Sequence, residues 1–177
     1  MVGVMGGGEE LAPEIYRLAY RLGELIAKEG WVLLNGGRPA GVMEASAKGA
    51  RENGGLTVGV LPGKDGGAAS DYIDVVIATG MGDGRNYINA LSSDIVVALP
   101  GKAGTVSEIA LALKNRKKVI LLGADVGTTF DFYRDEGLLA NAGTPEEAIQ
   151  IIKRLHVPGK THTTPGSKKL YGKYIIK

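Results

Sequence analysis

Two stretches of this 177-residue chain bring together residue types that could hold an anion and act on it: NGGRPAGVM, residues 35–43, and LPGKAGTVSE, residues 99–108. In each, an apolar run stops at small residues and a helical pattern follows at once. Small residues let the main chain approach a ligand closely. A helix that starts there adds unpaired N–H groups and the positive end of its dipole, which suits a phosphate. That makes Gly36, Gly37, Gly41 and Met43 in the first turn, and Pro100, Gly101, Lys102, Gly104 and Thr105 in the second, candidate ligand-binding residues. A third cluster, Gly6 to Gly8, ends the first apolar run and adds Gly7 as a candidate. Arg85, in MGDGRNYINA, either enters the cleft and forks its guanidinium onto phosphate or stands in solvent, and Arg38 has the same two readings. Glu108 could orient a hydroxyl or activate water beside the loop. It also follows Thr105 by three residues, the spacing of a capping box, which would account for it structurally. The letters LPGK recur at 61–64, but Asp65, Gly66 and Gly67 follow and no immediate helix does, so that copy lacks the helix start an anion would use.

The elements that must carry these turns alternate along the chain. Short apolar runs at VGVM (2–5), WVLL (31–34), LTVGVL (56–61), YIDVVIA (72–78), DIVVAL (94–99) and KKVILL (117–122) predict six strands, buried on both faces. Between them, Ile15, Leu18, Ala19, Leu22, Leu25 and Ile26 stripe one helix, Met43, Ala47 and Ala50 a second, and Val106, Ile109, Ala110 and Leu113 another. Arg85 to Leu91 predicts a short helix. Thr144-Pro145-Glu146-Glu147 starts a last one, with Ala148, Ile151, Ile152 and Leu155 inward. The segment TTFDFYRDEG (128–137) has no clear assignment. Strands alternating with helices predict an α/β, Rossmann-like doubly wound, mainly parallel sheet with helices on both faces. Ligands of such sheets lie beyond the C-terminal ends of the strands, where all three glycine turns fall.

Length and composition predict one domain over residues 1–156, followed by a basic C-terminal tail over 157–177. The tail carries Lys160, Lys168, Lys169, Lys173 and Lys177 with no acid. It leaves the body at −3 although the whole chain is +2. The tail could be disordered, add an edge strand or touch a partner subunit. A mildly acidic body argues against nucleic acid as a partner. Cysteine is absent, and His156 and His162 alone make no zinc site, so no metal site is expected. No apolar run spans a membrane and the start is unlike a signal peptide, which predicts a soluble, cytoplasmic protein. Known nucleotide motifs fail. GVMGGGEE lacks the third glycine of the dinucleotide fingerprint. Asn35 stands where a dinucleotide binder has an acid, and in RLHVPGKT Arg154 stands where a Walker loop has its first glycine.

The pair of turns resembles the LOG/lysine-decarboxylase-like (SLOG) superfamily over roughly Val2 to Ile152. The most specific piece is Pro-Gly-x-x-Gly-Thr-x-x-Glu, matched by Pro100, Gly101, Gly104, Thr105 and Glu108; Gly36, Gly37, Gly41 and Met43 match the earlier turn. The resemblance implies a homo-oligomer, dimer or tetramer, that binds a phosphorylated, nucleotide-like small molecule and requires no other cofactor. In the cytokinin-activating phosphoribohydrolases of that superfamily, the residues matching Arg85 and Glu108 are catalytic. They cleave the N-glycosidic bond of a nucleoside 5′-monophosphate. Two departures stand out: Lys102 replaces a second consecutive glycine, and Asn86 replaces the lysine that usually follows the arginine. The wording GWVLLNGGRPAGVM and NALSSDIVVA is more similar to the molybdenum-cofactor carrier branch. The resemblance thus implies either the molybdenum cofactor or a nucleoside monophosphate as ligand, with the carrier reading ahead of the hydrolase reading.

Overall fold

The computed structural model describes residues 1–155; the basic tail lies outside them. Seven strands and six helices follow one another: β1 (Val2–Met5), α1 (Pro13–Lys28), β2 (Leu33–Asn35), α2 (Gly41–Glu52), β3 (Thr57–Leu61), β4 (Val75–Ala78), α3 (Arg85–Ser92), β5 (Ile95–Ala98), α4 (Ala103–Lys114), β6 (Lys118–Leu122), α5 (Asp131–Asp135), β7 (Leu139–Ala142) and α6 (Pro145–Leu155). The strands form one sheet in the order β4-β3-β2-β1-β5-β6-β7, and every pairing is parallel. From β1 the chain winds outward to β4, then returns to place β5 on the other side of β1, where Val2 pairs with both Leu33 and Ile95. The C-terminal ends of β1 and β5 therefore frame the switch point of a Rossmann-like sheet.

Strand periodicity divides the core. In β5, Ile95 and Val97 face one side, with Leu22 and Ile26 of α1 and Ile149 and Ile152 of α6. Val96 and Ala98 face the other, with Ala90 of α3 and Ile109 and Leu113 of α4. A sheet buried this way tolerates apolar residues at every position, which is why the runs read as continuous rather than alternating.

Several expectations need correction. The run at 72–78 forms β4, but as the edge strand its four residues are all exposed, Val75 at 44% and Ile77 at 41%. A seventh strand, β7, was not expected: LANA is too short and weakly apolar to stand out, and it is the open edge beside β6 that recruits it. Part of the unassigned segment forms the single turn of α5. On α4 the buried stripe is Thr105, Glu108, Ile109, Ala112 and Leu113, whereas Val106 is 42% exposed. The helix packs on α3 as well as on the sheet, which rotates its inner face toward the polar residues. On α6, Ile149 takes the inward place expected of Leu155, which the last turn leaves exposed.

Helices α1 and α2 pack through glycine. A Cβ at Gly23 would lie 2.0 Å from the Ser46 carbonyl oxygen, and one at Gly49 would lie 2.0 Å from that of Tyr20. Backbone, not a flexible side chain, fills both places. Gly49→Ala is therefore expected to destabilise the protein by about 1–3 kcal/mol through overpacking, despite alanine's better helix propensity, as measured by urea denaturation.

Candidate functional site

Three turns meet at the switch point and hold one another by main-chain bonds. The Gly7 N–H donates to the Pro100 oxygen at 2.9 Å, and the Val42 N–H donates to the Gly7 oxygen at 2.9 Å. The joins are too close for side chains. A Cβ at Gly41, where φ is +57°, would sit 2.1 Å from the Gly7 oxygen, and one at Gly101 would sit 2.1 Å from the Thr105 hydroxyl. Gly37, at φ +72°, lies against the Gly59 main chain, and its N–H donates to the Asn35 side chain at 2.8 Å. Asn35, which stands where a dinucleotide binder has an acid, is thus a buried brace: its amide also donates to the Met43 carbonyl at 2.9 Å.

In front of this knot lies a cleft of about 290 Å³. Gly7, Gly36, Arg38, Met43, Arg85, Lys102, Gly104, Thr105 and Glu108 line it. Gly37, Gly41, Pro100 and Gly101 are not among its lining residues; the contacts above place them in the turns that shape it. The lining also includes Asn86, noted in the sequence only as a departure from the hydrolase pattern, and Glu9 and Asp83, which sequence reasoning did not single out. The signal for Asn86 was its place beside Arg85 at the start of a short helix. Glu9 and Asp83 carried none, because an acid in a glycine-rich loop usually faces solvent.

Arg85 is the central cation. Gly36 makes room for it: a Cβ there would meet the Arg85 Nη1 at 2.0 Å and the Met43 sulfur at 2.6 Å. The guanidinium is half-buried, and among the described residues it has no hydrogen-bond or ion-pair partner. Burial pushes its pKa below the usual value; the charges of Glu108 and Asp83 oppose this, and Arg38 adds to it. Glu108 is 6% exposed. Burial raises its carboxyl above the ordinary range, against a hydrogen bond from Asn89 and the charge of Arg85. The Asn89 Nδ2 donates to the Glu108 Oε1 at 2.8 Å. Asn86, one residue after Arg85, donates to the Ser107 hydroxyl at 3.0 Å. Helix α3 thus grips the first turns of α4 by two asparagines while presenting Arg85 to the cleft.

The capping-box expectation is overturned. Helix α4 starts at Ala103 with Lys102 as its N-cap and no side-chain cap, so Thr105 is already inside the helix and packs on Gly101. Glu108 reaches toward α3 instead of back to the helix start. The Lys102 ammonium meets the Glu9 carboxylate at 3.0 Å across the cleft mouth, and that hydrogen bond holds the Glu9 pKa below its usual value. Gly104, in the first turn of α4, lines the same cleft, and the amides of that turn are unpaired within the helix as any first-turn amides are. Among the described residues no cluster of three or more acids, histidines or cysteines could hold a metal.

The family model described as SLOG cluster4 matches residues 1–149. The chain belongs to that family. Among solved structures, it is similar to the molybdenum cofactor binding protein from the phototrophic bacterium Rippkaea orientalis, with 47% identity, a TM-score of 0.82, and coverage of 88% of this chain and 96% of that one. It is also similar to the molybdenum cofactor carrier protein of Chlamydomonas reinhardtii, at 46% identity, TM-score 0.80, and 87% and 96% coverage. Among characterised enzymes, a cytokinin riboside 5′-monophosphate phosphoribohydrolase of Mycobacterium tuberculosis is 38% identical over 100 residues, 54% of this chain. The match spans about half of that hydrolase, 52% of its length. In this SLOG protein no helix among the described residues is long and apolar enough to cross a membrane.

The raised carboxyl has a consequence for stability. A buried acid with a raised pKa binds more protons in the folded than in the unfolded state, so stability falls as pH rises from the ordinary carboxylate value through the raised one. Glu108→Gln removes that loss. The variant's melting temperature relative to wild type is expected to rise progressively as the pH climbs above the ordinary carboxylate value, as read by thermal melts in matched ionic strength.

Proposed function

We propose that this chain is a binding protein for a phosphorylated, nucleotide-like ligand, of the molybdenum-cofactor-carrier kind. The observation that carries this reading is the half-buried guanidinium of Arg85, without a hydrogen-bond or ion-pair partner among the described residues, in the same cleft as the start of α4. A cation taken from water without a partner is unfavourable. A phosphate monoester would give it a bidentate partner and at the same time take up the free amides of the α4 first turn. Arg38, exposed at the rim, adds a second cation, and the glycines of the three turns give the ligand access to the main chain. The phosphate of the molybdenum cofactor's pterin fits this cradle. With no cysteine in the chain, the hold would rest on the phosphate and not on a thiolate bond to the metal. The similarity to two proteins described as binding or carrying that cofactor supports the choice of ligand.

The second reading is a nucleoside 5′-monophosphate phosphoribohydrolase, and Glu108 is the observation that favours it. A buried carboxyl next to the phosphate cradle could position water or steady the cationic ribosyl centre as the glycosidic bond breaks. The purified protein mixed with nucleoside 5′-monophosphates, including N6-substituted adenylates, separates the two. The carrier reading expects no free base by chromatography; release that Glu108→Gln abolishes would overturn it. It also expects saturable binding of the molybdenum cofactor, weakened at least about tenfold by Arg85→Met, because a charge-assisted hydrogen bond contributes about 1.5–3 kcal/mol.

The chain is further proposed to act as a homo-oligomer in the cytoplasm. The exposed apolar residues Val75, Val76 and Ile77 of edge strand β4, with Tyr87 and Leu91 exposed on α3, support self-association. Ile77→Asp is expected to lower the mass seen by light scattering to that of a single chain while leaving the melting profile cooperative.

A further inference from the structure

Behind Glu108, Asn89 is fully buried and only half satisfied. Its Nδ2 donates to Glu108, while its Oδ1 has no partner among the described residues. A buried acceptor left unpaired destabilises a fold, and a leucine of similar size would avoid the loss. What an amide offers that leucine does not is two faces: it can donate to a carboxylate or, turned over, accept from a carboxylic acid.

The charges around Glu108 indicate when each face is needed. From α3 it meets Arg85 and Asn89; from its own helix, Thr105; across the cleft stand Arg38, Asp83 and the Lys102–Glu9 pair. The charge of Arg85 and the Asn89 hydrogen bond are what favour the ionised carboxylate, against its burial. An anion seated on Arg85 removes the first support and adds a like charge nearby, and two negative charges sharing a poorly hydrated site drive one to bind a proton.

We propose that Asn89 couples anion binding to the protonation of Glu108. In the free protein its Nδ2–H holds the carboxylate. When an anion fills the cleft, Glu108 takes up a proton from solvent and the Asn89 amide turns so that its Oδ1 accepts the new O–H. Asn89 is a positioning residue here: it touches Glu108, not the ligand. The inference rests on the cleft's reading as an anion site. It holds for a carrier, which would then bind and release its cargo with a proton, and for a hydrolase, whose Glu108 would enter the reaction neutral.

Sulfate is the probe, because it is a dianion that does not titrate near neutrality. Calorimetric titration at about pH 6.5 in two buffers of different ionisation enthalpy counts protons bound with it, up to about one per site. Wild type is expected to take up a measurable fraction of a proton per sulfate. Glu108→Gln should bind sulfate more tightly, having no charge to repel it, with no uptake at that site. Asn89→Leu should bind sulfate with uptake reduced by half or more, since losing the donor that favours the carboxylate shifts Glu108 toward its neutral form before sulfate arrives. Sulfate binding in wild type without proton uptake, or uptake unchanged in Asn89→Leu, would overturn the coupling while leaving the anion site standing. No sulfate binding by wild type would overturn the anion site and the coupling with it. If Asn89→Leu does not fold, the Asn89 side-chain amide resonances of wild type decide. They must move on sulfate addition and stay still in Glu108→Gln; any other pattern sinks the proposal.

Discussion

The structure depends on a main-chain knot at the switch point. Gly7 gives its N–H to Pro100 and its carbonyl to Val42, so one residue ties the turn after β1 to the turns after β2 and β5. Side chains play no part in these bonds, and Gly41 and Gly101 leave no room for a Cβ. The three loops thereby act as one rigid rim. Loops held in this way can present charged groups in fixed places, whereas loops joined by long side chains would first have to be ordered by the ligand.

On that rim the electrostatics are deliberately incomplete. Arg85 is half-buried beside Gly36 and Met43 and has no hydrogen-bond or ion-pair partner among the described residues, feeling Glu108 and Asp83 only as nearby charges, while burial raises the pKa of the Glu108 carboxyl. The two lean on each other only partially. A fully paired bridge would have satisfied both and left nothing for a ligand. Asymmetry of this kind is what a ligand-binding site would use and a structural ion pair would not. It is what the carrier and hydrolase readings share. They part over whether Glu108 acts on the ligand or only accompanies it.

The surrounding fold supplies rigidity in the same economical way. Strands β1 and β5 run through the middle of the sheet with both faces covered, and α1 and α2 approach through Gly23 and Gly49. The edges are looser. Strand β4 is exposed along its whole length, and α3 carries Tyr87 and Leu91 outward and Arg85, Asn86 and Asn89 inward. One short helix thus links an apolar surface to the polar heart of the cleft.

Much of this was legible in the residues alone. Apolar runs of four to six residues, broken by glycine and separated by helical stripes, can only satisfy their backbones and bury both faces in a parallel sheet. That logic gave the class, the main elements and the rim on which the glycine turns lie. The Pro-Gly-x-x-Gly-Thr-x-x-Glu spacing pointed to Glu108, and a lone arginine before it pointed to Arg85. Tertiary structure alone decided the rest, because those outcomes depend on neighbours distant in sequence. Strand β7 exists because β6 leaves an edge to pair with, and β4 is exposed because it ends the sheet order among the described residues. Glu108 looked like a cap from its spacing to Thr105. It became a cleft residue only because α4 begins three residues earlier than that pattern requires and α3 brings Asn89 to meet it. The ion pair of Lys102 with Glu9, 93 positions away, is likewise a product of the fold that no local pattern announces. Local pattern records what a residue can do, and packing determines which partner is within reach.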